Sequence, residues 1–299
     1  MKVYDCFMYY DEDTVVDIRL NCLDTYVDKF VIIESKFTHS GKKRDLLFDI
    51  KKFKHFENKI NYFILDHEPN GIETVDDNDD EGTKSEKYIL NATKRENYQR
   101  NYLSKGFEDA DPDDIILISD IDEIPNLEKI KFKSIKNKLI FFQQKIFYYK
   151  FNLCLNLENW VGTKVCKKKD LLSFSWLREV KTKKYPFFRF DTIFSKTKYK
   201  NIEIIEDGGW HFTQLKTAKD IEIKLVNSEI HGEIKSEGIN LQKISGLMKR
   251  KTIDYDHKAN SVDYKYSKEF KLKALSLEHM PTFLKQNVNK YSEWFDIDK

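Results

Sequence analysis

Apolar residues in this chain fall in short unbroken runs, separated by polar stretches in which the remaining apolar positions recur every three to four residues. Residues 3–9 (VYDCFMY) predict a first strand, and Val16, Leu20, Leu23 and Val27 then repeat at helical spacing after a candidate cap at Asp13. KFVIIES (29–35) and INYFIL (60–65) predict a second and a third strand. The stretch from Ser85 to about Lys105 predicts a long helix that feeds a fourth strand, IILIS, at 115–119. Strands alternating with helices predict an α/β fold, Rossmann-like, with a mainly parallel sheet covered on both faces. Ligands of such sheets bind beyond the C-terminal strand ends. Glu34 and Asp120 both fall at such ends.

The insert between the third strand and the long helix, residues 66–86, is acidic and poor in apolar residues, which predicts a mobile surface loop or lid. Asp77, Asp79, Glu81 and Gly82 start like a calcium loop, but the twelfth position is Tyr88 where a bidentate Glu is required, so that reading fails. Asn91-Ala-Thr93 is formally a glycosylation sequon; inside a predicted helix it is accidental. After residue 138 the pattern changes to longer aromatic runs, LIFFQQKIFYYKFNLCL, FFRFDTIF and IEIIEDGGWHF, which predict partly antiparallel strands on an acceptor side. From Thr217 the sequence turns helical, and PTFLKQNVNKYSEWF predicts a last helix. The whole reads as one domain over 1–299, with a ligand-binding half at 1–125, a second half at 126–215 and a helical elaboration at 216–299.

Composition narrows the function classes. Lys and Arg total 52 against 50 Asp and Glu, which argues against a nucleic-acid-wrapping surface or an acidic tail. The 22 Phe and 16 Tyr fit a thick aromatic core or a sugar-stacking cleft. Asp5 and three more acids precede any long apolar stretch, and no run reaches the roughly twenty apolar residues of a membrane span, so a soluble, cytoplasmic protein is expected. Cys6, Cys22, Cys154 and Cys166 have no CxxC spacing and read as reduced core thiols.

Chemistry concentrates in three places. In ILISDIDEIP (116–125), Asp120, Asp122 and Glu123 follow a buried strand directly. Three carboxylates this close repel one another unless they are fully hydrated or a cation sits among them. An Asp-x-Asp there projects hard oxygen ligands suited to Mg²⁺ or Mn²⁺. In EDGGWHF (206–212), paired glycines permit a tight turn or a close approach, Trp210 offers a flat apolar face, and His211 can supply a nitrogen ligand. In TKRENYQRN (93–101), Arg95 shares a helical face with Gln99, and Glu96 with Arg100, so an arginine can pair with Glu34 or reach a phosphate. Solvated intrahelical pairs explain the same spacing. The lysine groups at 42–44 and 167–169 are most simply solvated surface.

Taken in order, VYDCFMYYDEDTVVDIRLNCL, FVIIESKFTHSGKKR, the REN-YQRN helix, ISDIDEIP and DGGWHFT resemble glycosyltransferase family 17, over residue 2 to about 250. The resemblance implies a GT-A fold, a sugar nucleotide donor, UDP-GlcNAc, a divalent metal (Mn²⁺ or Mg²⁺), a glycan acceptor and inversion at the anomeric carbon. It implies that Asp120, Asp122 and His211 bind the metal and that Glu34, Arg95, Arg100 and Asp120 line the donor pocket. An inverting transfer needs a base for the acceptor hydroxyl proton. Asp207 is the first candidate, beside the Gly-Gly turn, with Glu206, Glu123 and Glu179 behind it. Trp210 and Trp160 are candidate acceptor stackers, the core reading being slightly favoured for Trp160. Two rivals remain at this stage. One is a Mg²⁺-dependent phosphohydrolase of the haloacid dehalogenase type, which also ends a strand with Asp-x-Asp but usually opens with it. The other is a glycan-binding protein without turnover.

Overall fold

The structure is a computed structural model and describes residues 1–134, 136–156, 160–183, 185–186, 188–227, 238–258, 264–266 and 268–297. Its centre is a parallel set of strands: β1 (Val3–Tyr9), β2 (Lys29–Ser35), β3 (Ile60–Leu65) and β4 (Ile115–Ile118), in spatial order β4-β1-β2-β3. β1, β2 and β4 are near-continuous apolar runs, as burial on both faces requires, whereas β3 at the sheet end is only partly buried. Period-two alternation sends Val3, Phe7 and Tyr9 into one apolar cluster and Tyr4 and Cys6 into another on the opposite face. Helix α1 (Asp13–Leu23) covers the first face with Val16, Ile18, Leu20 and Leu23. Asp13 is its first helical residue; the cap position is Glu12, which makes no side-chain capping bond.

Antiparallel strands extend the sheet beyond β4. β8 (Trp160–Lys167) pairs with β4, β6 (Leu139–Tyr148) with β8, and β7 (Leu153–Leu155) with β6. β9 (Ile202–Ile205) and β10 (Gly209–Thr213) lie parallel to successive parts of β6, and β10 also pairs antiparallel with β5 (Glu123–Pro125). The α/β reading and the antiparallel extension therefore hold.

Several expectations are corrected. Helix α2 runs Glu81–Tyr102, starting earlier than Ser85, because the Asp80 carboxylate accepts the Thr83 amide at 2.9 Å and caps it. The described residues of FFRFDTIF, 188–194, hold no strand: they end in the single turn of α4 (Asp191–Phe194), after α3 (Phe174–Glu179). The C-terminal region is not purely helical. After α5 (Ala218–Asn227) and α6 (Leu241–Arg250) come β11 (Thr252–Ile253) and β12 (Phe270–Ala274), and β12 adds to the sheet edge at β7. FKLKA carries the period-two pattern of a half-exposed strand, and β11 pairs along its outer side. The expected last helix is only α7 (Thr282–Gln286); Asn287, at φ −122°, leaves the helical region and a single turn follows at Ser292–Trp294. Among the described residues no helix is long and apolar enough to cross a membrane. All four cysteines are free thiols, three of them buried.

Buried inside β8, Lys164 donates to the carbonyls of Arg178 (2.5 Å) and Val180 (2.7 Å) and so anchors the end of α3. Burial, helped by the Arg178 charge, pushes its pKa down to about 7. An unfolded lysine keeps its proton up to about pH 10.4, so between pH 7 and 10 the unfolded chain binds a proton that the folded chain does not. Stability from this group is fully present above the unfolded pKa and is lost as pH falls to 7, at no more than about 1.4 kcal/mol per pH unit. In urea melts the stability difference between the native chain and Lys164→Met should drift in the native chain's favour from pH 7 to 10. A pH-independent difference would show that the amine stays charged.

Candidate functional site

A cleft of about 430 Å³ opens beyond the C-terminal ends of the parallel strands. One wall is formed by Tyr10, Phe37, Thr38, Arg44, Glu96 and Gln99. Its floor carries Asp120, Asp122, Trp160 and His211, and α5 and α6 close the far side with Ile221, Lys224, Ile244 and Leu247, near Asp254, Tyr255 and His257.

The loop 119–123 owes its shape to buried cations. Arg19 on α1 and Asp5 on β1 are fully buried and joined by two bonds of 2.6 and 2.7 Å. The same guanidinium donates to the carbonyls of Ile121 (3.2 Å) and Glu123 (2.7 Å), clamping the turn from beneath. From the other side Arg178, on α3, donates to Glu123 (2.7 Å), Asp120 (2.9 Å) and the Gly162 carbonyl (3.0 Å). Glu123 is fully buried and also accepts the Asp120 amide at 2.8 Å and the Trp160 indole at 2.6 Å. The repulsion among the three acids is thus offset largely by arginine. Burial raises the Asp120 carboxyl pKa, but Arg178 and Arg100 outweigh it and hold the group at about 2. The same carboxylates raise the Arg178 pKa against its burial.

Asp122 is the acid left facing the cleft without an arginine. Its Oδ1 lies 3.5 Å from His211 Nε2, and its backbone carbonyl accepts the Phe212 amide at 2.8 Å. Burial lowers the His211 pKa, and the carboxylate of Asp122 more than reverses it. His211 Nδ1 is buried without a hydrogen-bond partner among the described residues. An adjacent oxygen and nitrogen donor directed into one cleft fit a divalent cation as two of its ligands. Asp120 lines the same cleft, with its oxygens engaged by Arg178 at 2.9 Å and Arg100 at 3.4 Å. Among the described residues no three His, Cys, Asp or Glu side chains form a cage for a metal.

His211 reaches this position because β10 is wedged between β5 and β6. Gly209, at φ +136°, sits so close to β5 that a Cβ would stand 2.2 Å from the Ile124 carbonyl oxygen. The close approach of the Gly-Gly pair is to the chain's own backbone, and it sets the register that brings His211 opposite Glu123.

Other predicted residues are placed differently. Alternation along β10 sends Trp210 to the opposite face from His211. Its indole donates to the His279 carbonyl at 2.7 Å and it packs on the core, so it is not an acceptor stacker. Trp160 lines the cleft, 5.3 Å from the His211 ring. Asp207 is exposed, paired with Lys145 and 3.9 Å from Lys129, and neither it nor Glu206 lines the cleft, so neither is positioned as the base. Glu123 is sealed into the arginine network, and Glu179, at the end of α3, does not line the cleft. Glu34 is fully buried and takes Arg44 (3.0 Å), the amides of Leu47 (2.7 Å) and Phe48 (3.1 Å) and the Tyr62 hydroxyl (2.7 Å). It fixes a loop and does not touch the cleft; the arginine it pairs with is Arg44, not one from α2. Arg44 does line the cleft, stacked 4.2 Å over Tyr10. Arg95 turns to Glu68 at 2.5 Å, and Arg100 bridges Glu96 (2.5 Å) and Asp120 (3.4 Å) from behind the cleft wall.

Arg178 and Lys224 were not anticipated from sequence. Lys224 pairs with Glu12 at 3.0 Å, and despite burial the acids Glu12, Asp122 and Asp11 raise its pKa. It sets a firm positive charge beside Asp122. A lysine in the last turn of a helix carries no signal that it belongs to a site.

Compared with known proteins, residues 1–294 match the profile of glycosyltransferase family 17. The human and rat β-1,4-mannosyl-glycoprotein 4-β-N-acetylglucosaminyltransferases are each 30% identical over 129 residues. That match takes in 40% of this chain and only 21% of the length of each relative. A solved structure, HddC from Yersinia pseudotuberculosis, aligns with 70% of this chain and 92% of its own at 11% identity, with a TM-score of 0.30, too low to bear on the fold.

Proposed function

The chain belongs to glycosyltransferase family 17, and from that premise we propose that it is a GT-A-type enzyme moving GlcNAc from UDP-GlcNAc to a glycan hydroxyl, with inversion. Support comes above all from the convergence of Asp122, His211 and Lys224 on one cleft at the C-terminal strand ends. The phosphohydrolase alternative falls away with the family.

In this proposal the uridine lies along the Tyr10–Arg44 wall, whose stacked cation and ring accept a flat base. Asp122 and His211 would hold Mn²⁺ or Mg²⁺, which supplies charge neutralisation for the departing diphosphate when bound. Lys224 donates to the same diphosphate and so favours its departure. Trp160, fixed by its bond to Glu123, offers its face to a sugar ring, and the acceptor enters on the side of Tyr148 and Tyr255. Asp254 lies on that side, 2.8 Å from Lys243, and replaces Asp207 as the candidate base.

The test is turnover of a panel of UDP- and GDP-sugars with Mn²⁺, following nucleotide release with and without added glycans. Release of UDP from UDP-GlcNAc, abolished by EDTA, is expected. Release from another donor alone would revise the sugar, activity indifferent to EDTA would remove the metal, and glycan binding without any release would make the protein a non-catalytic binder.

A further inference from the structure

Residues 181–200 carry seven Lys and Arg against one acid, a local surplus of six positive charges in a chain whose net charge is +2. On the same segment Phe188, Phe190 and Phe194 are 59, 70 and 90% exposed. Lys181, Lys183, Arg189, Lys196 and Lys200 are exposed around them. Cations and rings interleave, with Lys200 Nζ 5.9 Å from the Phe190 ring centre and Arg189 5.7 Å from that of Tyr185. The single acid, Asp191, is engaged by Arg189 (2.7 Å) and Lys198 (3.0 Å) and does not cancel the field.

Phe190 and Phe194, exposed on one short segment, call for a cover. The charge decides which. Protein interfaces draw on Arg and on aromatic residues, Phe included, but are depleted in Lys, and six of these seven cations are lysines. An anionic bilayer surface attracts lysines and admits aromatic side chains to the boundary of headgroups and acyl chains. We propose that the described residues between 181 and 200 form a docking surface for an anionic lipid bilayer, with Phe190 and Phe194 entering the interface and the exposed Lys181, Lys183 and Lys196 facing the lipid phosphates. No membrane-crossing helix is needed for this mode of attachment. The inference is independent of the proposed transfer reaction.

The experiment is co-sedimentation of the full chain with vesicles of phosphatidylcholine alone or with 30 mol% phosphatidylglycerol, at low and high salt, for the native protein and for Phe190→Ser/Phe194→Ser. Binding to the anionic vesicles only, weakened by salt and reduced at least about tenfold in the double variant, is expected. Circular dichroism melts check that the variant folds as the native chain does. Absence of binding to anionic vesicles at low salt would overturn the proposal, as would full binding by the double variant, which would mean non-specific adsorption through lysine alone. Concentration-dependent dimerisation in sedimentation velocity, lost in the same variant, would assign the patch to a second copy of the chain and overturn it as well.

Discussion

Asp122→Ala should lower UDP-sugar turnover by at least about a hundredfold while leaving the fold intact. The scale is that of removing one preorganised electrostatic contact from a transition state. The fold should survive because the Asp122 side chain is paired with His211 at 3.5 Å and, among the described residues, with no arginine, while its backbone bond from the Phe212 amide does not depend on the side chain. Asp120→Ala should behave differently. It leaves Arg178 and Arg100 short of a partner and so disturbs stability together with activity. Turnover within about fivefold of native for Asp122→Ala, with an unchanged melt, would place the reacting centre elsewhere.

Arg19→Met should be the most damaging substitution for stability. It leaves Asp5 charged and fully buried, and removes the Arg19 donor from the carbonyls of Ile121 and Glu123, the latter keeping only the weaker bond from the Thr163 hydroxyl at 3.2 Å. Breaking a buried ion pair by removing one partner costs about 3–5 kcal/mol, and a chain of this size loses very roughly 2–4 °C of Tm for each kcal/mol. A drop of about 10 °C is therefore expected, with a loss of donor turnover, since the clamped carbonyls shape the loop that carries Asp122. Adding Asp5→Leu to Arg19→Met should recover part of the stability, because the uncompensated charge is gone, but not the turnover, because the loop stays unclamped. Denaturant melts and donor hydrolysis on the single and double variants read both quantities. A stability loss under about 1 kcal/mol for Arg19→Met would mean that water reaches Asp5 in its place.

The acidic strand end was legible because burial and charge conflict there within ten residues. ILISDIDEIP, 116–125, ends a run that can only be interior with acids that cannot be interior alone. What remained open was the identity of the compensating charge. The structure answers with Arg178, fifty-five residues after Glu123, as well as with the His211 side of the cleft. The same division holds for DGGWHF. Its glycines announced a close approach, but only the wedge of β10 between β5 and β6 shows that the approach is to backbone and that Trp210 turns away from the cleft. Asp207 looked equally well placed in one dimension and is turned outward onto Lys145.

The sequence by itself determined the α/β alternation, the four parallel strands and the acidic strand end, because each is written in local periodicity that a few adjacent residues reveal. Tertiary structure decided which acids meet arginine and which face the cleft, which tryptophan lines it, and that a late segment adds β11 and β12 to the sheet. Those outcomes rest on pairings between residues tens to hundreds of positions apart, and the charge of a side chain does not say which opposite charge it will meet once the chain has folded.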